Sequence, residues 1–567
     1  MKKFLSMLAI VSLITSFIAC DDDEEVFDLP TIQIVNTTLE QRAGEMIEVD
    51  ASVVADAGIK TITVSVDGGD DQDVTGSLAN QKAGIVTYEF EVPGDAAEGD
   101  TYSVNFTVTD NKNRTTTSTT AATITVAEEP AQTIELNESA DGVGTTTWLA
   151  RNTYVLNGKI YVNDGQTLTI EAGTVIKGQT GQAEAASALI VARGGKIMAN
   201  GTSSNPIIFT SLADDLTRTD DLPKNQRGLW GGVILLGNAY INHANGQTNI
   251  EGIVASETNP RSLYGVGANP GVGGKNWALD NAHNAGELSY ISIRHGGTNI
   301  GAGNEINGLT MGGVGTGTKI HHIEVYGNDD DGFEWFGGTV NTSYLASIYN
   351  QDDSYDWDFG WRAENQFWVA VQEQGFGDSN RGFESDGAHN GNLTAAIFSK
   401  PQIFNMTLVG STASGTANAD DHNAMFFTEN GGVLIHNSMI MGFGQGVNIT
   451  PNNEDRFAAG DLAFKNNIWT NVADNTTAGI ANSFAEFQTY LEEPANGNEI
   501  SDAPGISLTT TQFTLVPSAG SLALTKSRSA LPAANGFTYE TANFIGAFGT
   551  TNWMKGWTAA DAYGFLP

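Results

Sequence analysis

Two stretches of this chain, DDGFEWF (330–336) and DDSYDWD (352–358), superpose without a gap at a spacing of 22 residues. The superposition sets Asp330-Asp331 on Asp352-Asp353, Glu334 on Asp356 and Trp335 on Trp357. A third stretch, GFESD (382–386), continues the register through Phe383: Glu384 extends the first acid column, and Asp386 lies level with Asp358. A repeat of this length is one coil of a stacked-strand solenoid, in which residues distant in the chain share one column. The same rhythm starts near residue 133. ALIVARGGKIMANG, PIIFTS, LSYISIRHGG, IHHIEVYGN, QIFNMTLVG, GVLIHNSMIMG and LAFKNNIWTN are short apolar runs that end in Gly, Asn or Asp. Runs too short for a helical period, with Gly and Asn at their corners, predict a parallel β-helix over 133–567. Residues 211–287 carry few strand signals and read as a long loop over one wall, where a groove or docking face could form.

Strands alternate faces with period two. If Phe333, Tyr355, Phe383, Trp335 and Trp357 point inward, then Glu334, Asp356 and Glu384 point outward, and Asp358 and Asp386 do the same two residues on. Aromatics fill the coil and acids line its outer wall. Stacked strands lie ~4.8 Å apart, and two carboxylates at that distance repel by roughly 3.5 kcal/mol at an effective dielectric of 20. A covered column therefore needs a divalent cation or a shared proton.

Three readings stay open. The cluster Glu334, Asp356, Asp358, Glu384 and Asp386 binds Ca²⁺, with Asp330, Asp331, Asp352, Asp353 and the aromatic Trp361 completing a ligand surface. Alternatively, those five acids are catalysts of a glycoside hydrolase or polysaccharide lyase. A lyase also needs a base, for which Arg381 and Arg362 are the candidates, unless they are ion-pair partners. In the third reading the column is a solvated structural wall. Trp361, Phe367 and Trp368 either stack on sugar rings or pack the core. Asp420, Asp421 and His422 resemble the other acidic corners. His295, His321 and His322 lack the pairing of a zinc site and read as packing or corner residues. The glycine-rich stretches 265–276 and 312–319 lack phosphate-loop spacing, and no organic cofactor is expected.

Charge narrows the partners. Lys and Arg number 27 against 66 Asp and Glu, a formal charge of −39 that disfavours nucleic acid and anionic lipid. The first residues, MKKFLSMLAIVSLITSFIAC, place two lysines before an apolar run that ends at the sole cysteine, Cys20. This resembles a bacterial lipoprotein signal, with Phe17 where leucine is usual, and implies a signal peptide over 1–19 and a lipidated Cys20. The acidic DDDEE at 21–25, within a tether over 20–30, resembles the surface-export signal of Bacteroidota lipoproteins. The implied address is the outer membrane, lipid-anchored and facing the cell exterior. No later stretch is apolar over the ~18 residues of a bilayer span. Residues 31–127 alternate apolar and polar in EMIEVDASV, IKTITVSVDG, IVTYEFEVPG, TYSVNFTVTD and TSTTAATITV, which predicts an immunoglobulin-like β-sandwich spacer. AEEPAQ (127–132) is the linker.

Residues 133–567 resemble the pectin-lyase-like right-handed parallel β-helices. RGLWGGVILLGNA, NEINGLTMGGVGTGTKIHHIEV and FIGAFGTTNWMKGW are similar to a group of β-helix lipoproteins in Bacteroidota. The expectation is an all-β surface lipoprotein that binds an extracellular ligand, a glycan or a divalent cation or both, as accessory to a TonB-dependent transporter or another outer-membrane protein. The polysaccharide lyase or hydrolase stays open as an alternative, as does a scaffold or adhesin.

Overall fold

The computed structural model describes residues 26–253, 260–267, 275–299, 305–374, 381–388, 396–411, 422–482, 484–534 and 536–567. Cys20, the acidic run 21–25, Asp420, Asp421 and part of the glycine-rich stretch 265–276 lie outside these residues. The chain divides into two compact units, Met1–Pro130 and Ala131–Pro567.

The first unit is built of antiparallel strands in which every second residue is apolar. Met46–Val54 pairs with Thr31–Ile34 on one side and Ala83–Glu91 on the other. A second sheet sets Thr101–Asp110 between Ile59–Val66 and Ala122–Val126, and Thr38–Gln41 runs parallel to the last of these. Val49, Ala51, Val53, Ile62, Val64, Val104, Phe106 and Val108 form its core.

The second unit consists of parallel strands in an 18-stranded and a 9-stranded sheet. Each coil contributes to both. In the coil of Gly286–Arg294, residues 286–289 continue the row of Lys196–Asn200, and residues 291–293 continue the row of Ile207–Ser211. Tyr290 sits at the bend between the two rows with a φ of 49°. The same corner in later coils holds His322, Tyr344, Phe367, Asn405, Asn437 and Asn466, all at positive φ. A bulky residue there costs on the order of 1–3 kcal/mol. Ring stacking up the column offsets part of that cost, with centroids 4.3 Å apart for Tyr290–His322, 4.2 Å for His322–Tyr344 and 4.8 Å for Tyr344–Phe367.

The coil interior is apolar and stacks like on like. Trp335, Tyr355, Trp357, Trp361, Trp368 and Phe383 are all fully buried in it. A second apolar layer covers part of the 18-stranded sheet from outside, using Phe513, Phe548, Met554 and Phe565 from the C-terminal segment. Buried Glu324 fastens this segment by accepting from the N–H groups of Ala559 (2.6 Å) and Ala560 (3.0 Å) and from Ser292 Oγ (2.6 Å).

Residues 211–287 correct the expectation of one loop. Val233–Leu236 pairs with Ala188–Val191 and with Leu309–Gly312 as a strand of the 9-stranded sheet. Flanking glycines at 231, 232 and 237 shorten its apolar run to four residues, too brief to stand out from turn chemistry. The rest of the excursion includes an antiparallel hairpin, Gln247–Asn249 with Leu263–Gly265.

Candidate functional site

The acid column forms on the 9-stranded sheet. Phe333–Phe336 pairs in parallel with Tyr355–Asp358, which sets Glu334 on Asp356, Trp335 on Trp357 and Phe336 on Asp358. The next strand, Glu384–Asp386, sets Glu384 on Asp356. Followed through the whole sheet, this outward column reads Tyr161, Ile190, Ile234, Thr310, Glu334, Asp356, Glu384, Phe426 and Asn448. Three acids interrupt a column that is otherwise apolar or neutral. Counting three residues back along the chain gives a second column of Asn307, Asp331, Asp353 and Arg381. Its last three members are chained by hydrogen bonds from Asp353 N to Asp331 Oδ1 (2.8 Å) and from Arg381 N to Asp353 Oδ1 (2.7 Å).

The wall is outside the coil, but it is not a solvated surface. Asp330, Asp331, Glu334, Asp353 and Asp358 are buried, and Asp352, Asp356, Glu384 and Asp386 are half-buried. The excursion covers the sheet: Ile241, Ile250, Ile253 and Tyr264 pack with Phe336 and Phe359 into a second apolar layer outside it. Tyr264 requires glycine beneath it, since a Cβ on Gly312 would lie 2.8 Å from its ring. The same segment carries Glu251 in among the acids. Asn307 Nδ2 donates to Glu251 Oε1 at 2.8 Å and also to Glu334 Oε2, and the two glutamates hydrogen-bond each other.

Burial, followed by neighbouring like charge, pushes the carboxyls of Asp330, Asp331, Glu334, Asp356 and Asp386 well above their ordinary range. Burial also raises Glu251. One proton shared between Glu251 and Glu334 fits their hydrogen bond and the direction of both shifts. Arg381 divides the cluster. Its guanidinium bonds Asp353 Oδ2 at 3.2 Å and Glu384 Oε2, and it lies 4.5 Å from the Phe426 ring. Burial opposes the charge on Arg381, but the two carboxylates overcome this and hold it more basic than an ordinary arginine. Asp353 and Glu384 are therefore partnered by a cation, and both stay raised because burial outweighs it.

The remaining acids converge in two sets. Carboxylate oxygens of Asp330, Asp331 and Asp352 lie within 4.8 Å of one another, as do those of Asp331, Glu334 and Asp356. Asp331 belongs to both. Asp330 Oδ2, Asp356 Oδ1 and the buried hydroxyl of Thr310, next to Glu334 in the column, have no hydrogen-bond partner among the described residues. Oxygen donors alone, several of them charged, suit a hard divalent cation such as Ca²⁺, so the residues present fit one. Asp358 and Asp386 stand one column on, where Glu429 adds a further like charge.

Trp361 corrects the sequence reading. It is not a ligand platform: its indole is fully buried, with ring centroids 4.5 Å from Trp335 and 5.8 Å from Trp357. It sits in the turn after Asp358, where strand alternation no longer decides the side. Phe367 and Trp368 are likewise buried. His295 bonds Gln226 O and Tyr563 Oη, and His422 bonds Ser411, Gln372 and Gly444 N, so both are satisfied packing groups. Arg362 donates to Phe398 O rather than to an acid of the cluster.

Glu251, Asn307 and Thr310 escaped the sequence reading. Carrying the coil register one strand back, from Phe333 to Leu309, would have found Asn307 and Thr310. Glu251 has no repeat to place it.

A family model described as a pectate-lyase like beta helix domain matches residues 138–558. No curated protein matches the chain.

Proposed function

We propose, from the premise that the chain belongs to the pectate-lyase-like β-helix family, that the cluster around Asp331 is a divalent-cation site serving glycan recognition. The observation that carries this reading is the pair of carboxylate triads sharing Asp331, together with unpartnered Asp330 Oδ2 and Asp356 Oδ1. Asp330, Asp331, Glu334, Asp352 and Asp356 would hold the ion. When bound, Ca²⁺ would supply charge neutralisation and an open position for a sugar oxygen. Half-buried Asp352 and Asp356 leave a side of the cluster for that oxygen, while Asn307 and the Glu251–Glu334 pair fix the wall behind it. Titration with CaCl2 is expected to raise the melting temperature reversibly. At a hundredfold excess over the dissociation constant the gain is about 2.7 kcal/mol, and EGTA removes it. A melting temperature indifferent to CaCl2 and EGTA sinks the cation site.

The proton-sharing pair Glu251 and Glu334 favours a second reading, a glycoside hydrolase or polysaccharide lyase with these acids as general acid and base. Reducing ends released from neutral and acidic polysaccharides, and lost in Glu334→Gln, would establish it.

We also infer the cellular setting, from the sequence features at the N-terminus. The chain is read as an outer-membrane lipoprotein anchored through Cys20, its N-terminal unit an immunoglobulin-like spacer, and a TonB-dependent transporter its membrane partner. Fatty-acid labelling is expected to mark the wild type and spare Cys20→Ser, and a pull-down from detergent-solubilised outer membrane is expected to recover the transporter. Equal labelling of both proteins ends the anchor, and a pull-down without such a transporter ends that partnership.

A further inference from the structure

The 18-stranded sheet carries a polar row with no role in the acid cluster. Glu364 pairs with Gln402 and Gln402 with Leu434 in successive coils. Asn341 stands one coil before Glu364, level with it by the pairing of Thr342 with Asn365, and its Oδ1 accepts from Glu364 N at 2.8 Å. Asn341, Glu364 and Gln402 thus stack at intervals of ~4.8 Å. They floor an open cavity of about 420 Å³ whose sides are formed by Arg362, Lys400, Thr316 and Thr339.

The floor is rich in unused hydrogen-bonding capacity. Glu364 Oε2 is buried without a hydrogen-bond partner among the described residues. Asn341 Nδ2, the Gln402 amide and both Nη groups of Arg362 also have no hydrogen-bond partner among the described residues, since Arg362 uses Nε on Phe398 O (2.8 Å) and Asn341 uses only Oδ1. The charges nearly cancel. Lys400 is neutralised by Asp461 at 2.7 Å, which leaves one guanidinium against one carboxylate. Among the described lining residues only Leu434 and Ala363 are apolar, too little for an apolar peptide anchor. The Phe398 ring is taken by Arg362 and Arg456, which leaves no open face there for a nucleobase.

An acceptor carboxylate, donor amides and a donor guanidinium in alternation complement groups that both donate and accept, and repeated hydroxyls do so along a sugar chain. We propose that this groove is a second glycan-binding site, which takes two or three residues of a neutral polysaccharide through their hydroxyls. It is independent of the cation cluster, because none of its lining residues belongs to either carboxylate triad.

Isothermal titration in EDTA with cellohexaose, xylohexaose, mannohexaose and hexagalacturonate tests this. Binding of at least one neutral oligosaccharide is expected without calcium, weakened roughly tenfold by Glu364→Ala and by Asn341→Ala, one charged or amide hydrogen bond each. Asp331→Asn is expected to leave it unchanged, which separates this site from the cation reading. Glu364→Gln, isosteric with the native residue, controls for folding and is expected to retain part of the affinity. The proposal is overturned if no neutral oligosaccharide binds in EDTA, if only hexagalacturonate does, or if binding survives both alanine substitutions.

Discussion

Trp335→Ala is expected to destabilise the β-helix by about 3–5 kcal/mol, the cost of emptying a large aromatic site in a close-packed core. The residue is fully buried. Its ring lies 4.5 Å from Trp361 at 16° and 5.1 Å from Trp368 at 6°, so truncation removes two stacked partners as well as apolar area. The cavity cannot collapse easily, because the coils above and below are fixed by the strand ladder on both sides of the gap. Trp335→Phe is expected to cost far less, since Trp335 Nε1 has no hydrogen-bond partner among the described residues and phenylalanine would remove a buried unsatisfied donor along with the second ring. Urea midpoints for the two variants give the comparison. A double-mutant cycle with Trp361→Phe is expected to show coupling of roughly 0.5–1.5 kcal/mol. Were these rings a sugar platform on the surface, Trp335→Ala would shift the midpoint by less than about 0.5 kcal/mol. That result would refute the packed column.

Why the sequence disclosed this column and an excursion over one wall, but not that the excursion buries the acids, follows from what each depends on. Glu334 and Asp356 are set level by a gapless repeat of 22 residues, and a strand's period of two then decides which of their neighbours face the core. Both rules are local, so the register, the inward aromatics and the outward acids could all be read. Glu384 falls 28 residues after Asp356 and was still placed, because Phe383 continues the aromatic column. Burial of that outer face is a different kind of fact. It depends on Ile250, Ile253 and Tyr264 folding back from an excursion that repeats nothing, and alternation says which side a residue takes, never what lies against it. Glu251 arrives with that cover and was invisible for the same reason. Trp361 failed at the opposite limit. It stands in a turn, where period two stops, so its place beside the acids allows either a sugar-stacking or a packing role, and its ring turns inward.

Burial gives the acid cluster a second testable consequence. A carboxyl whose folded pKa is raised binds its proton more tightly in the native state than in the unfolded chain, where Asp titrates near ~3.9 and Glu near ~4.3. Its contribution to stability is whole below the unfolded value and is lost as pH climbs through the raised one. Asp330, Asp331, Glu334 and Asp356 are all raised, chiefly by burial, so the cluster's own contribution to metal-free stability is expected to be largest in mild acid and to fall toward neutral pH, while buried His283, His322 and His436, held below the ordinary histidine range, act in the opposite direction. On the proposed cation reading, calcium would compete for the same oxygens. Its stabilising effect is therefore expected to be large at neutral pH and to fade in acid, where protons already neutralise the site. Asp331→Asn isolates this from the general repulsion of a chain carrying −39, since it alters one acid among 66. The asparagine keeps an oxygen for the N–H of Asp353 and removes the carboxylate common to both triads. Each unit by which the Asp331 pKa is raised is worth about 1.4 kcal/mol, so the metal-free variant is expected to be more stable than the wild type at neutral pH and equal to it in acid. Its calcium affinity is expected to fall by at least ~100-fold, more than the loss of a mere supporting contact would cause. Melting curves across the pH range, in EGTA and in CaCl2, read both effects together. A metal-free stability gap between Asp331→Asn and the wild type that does not widen from acid to neutral pH, or an Asp331→Asn protein that keeps the calcium shift, leaves the buried triads without a cation to hold.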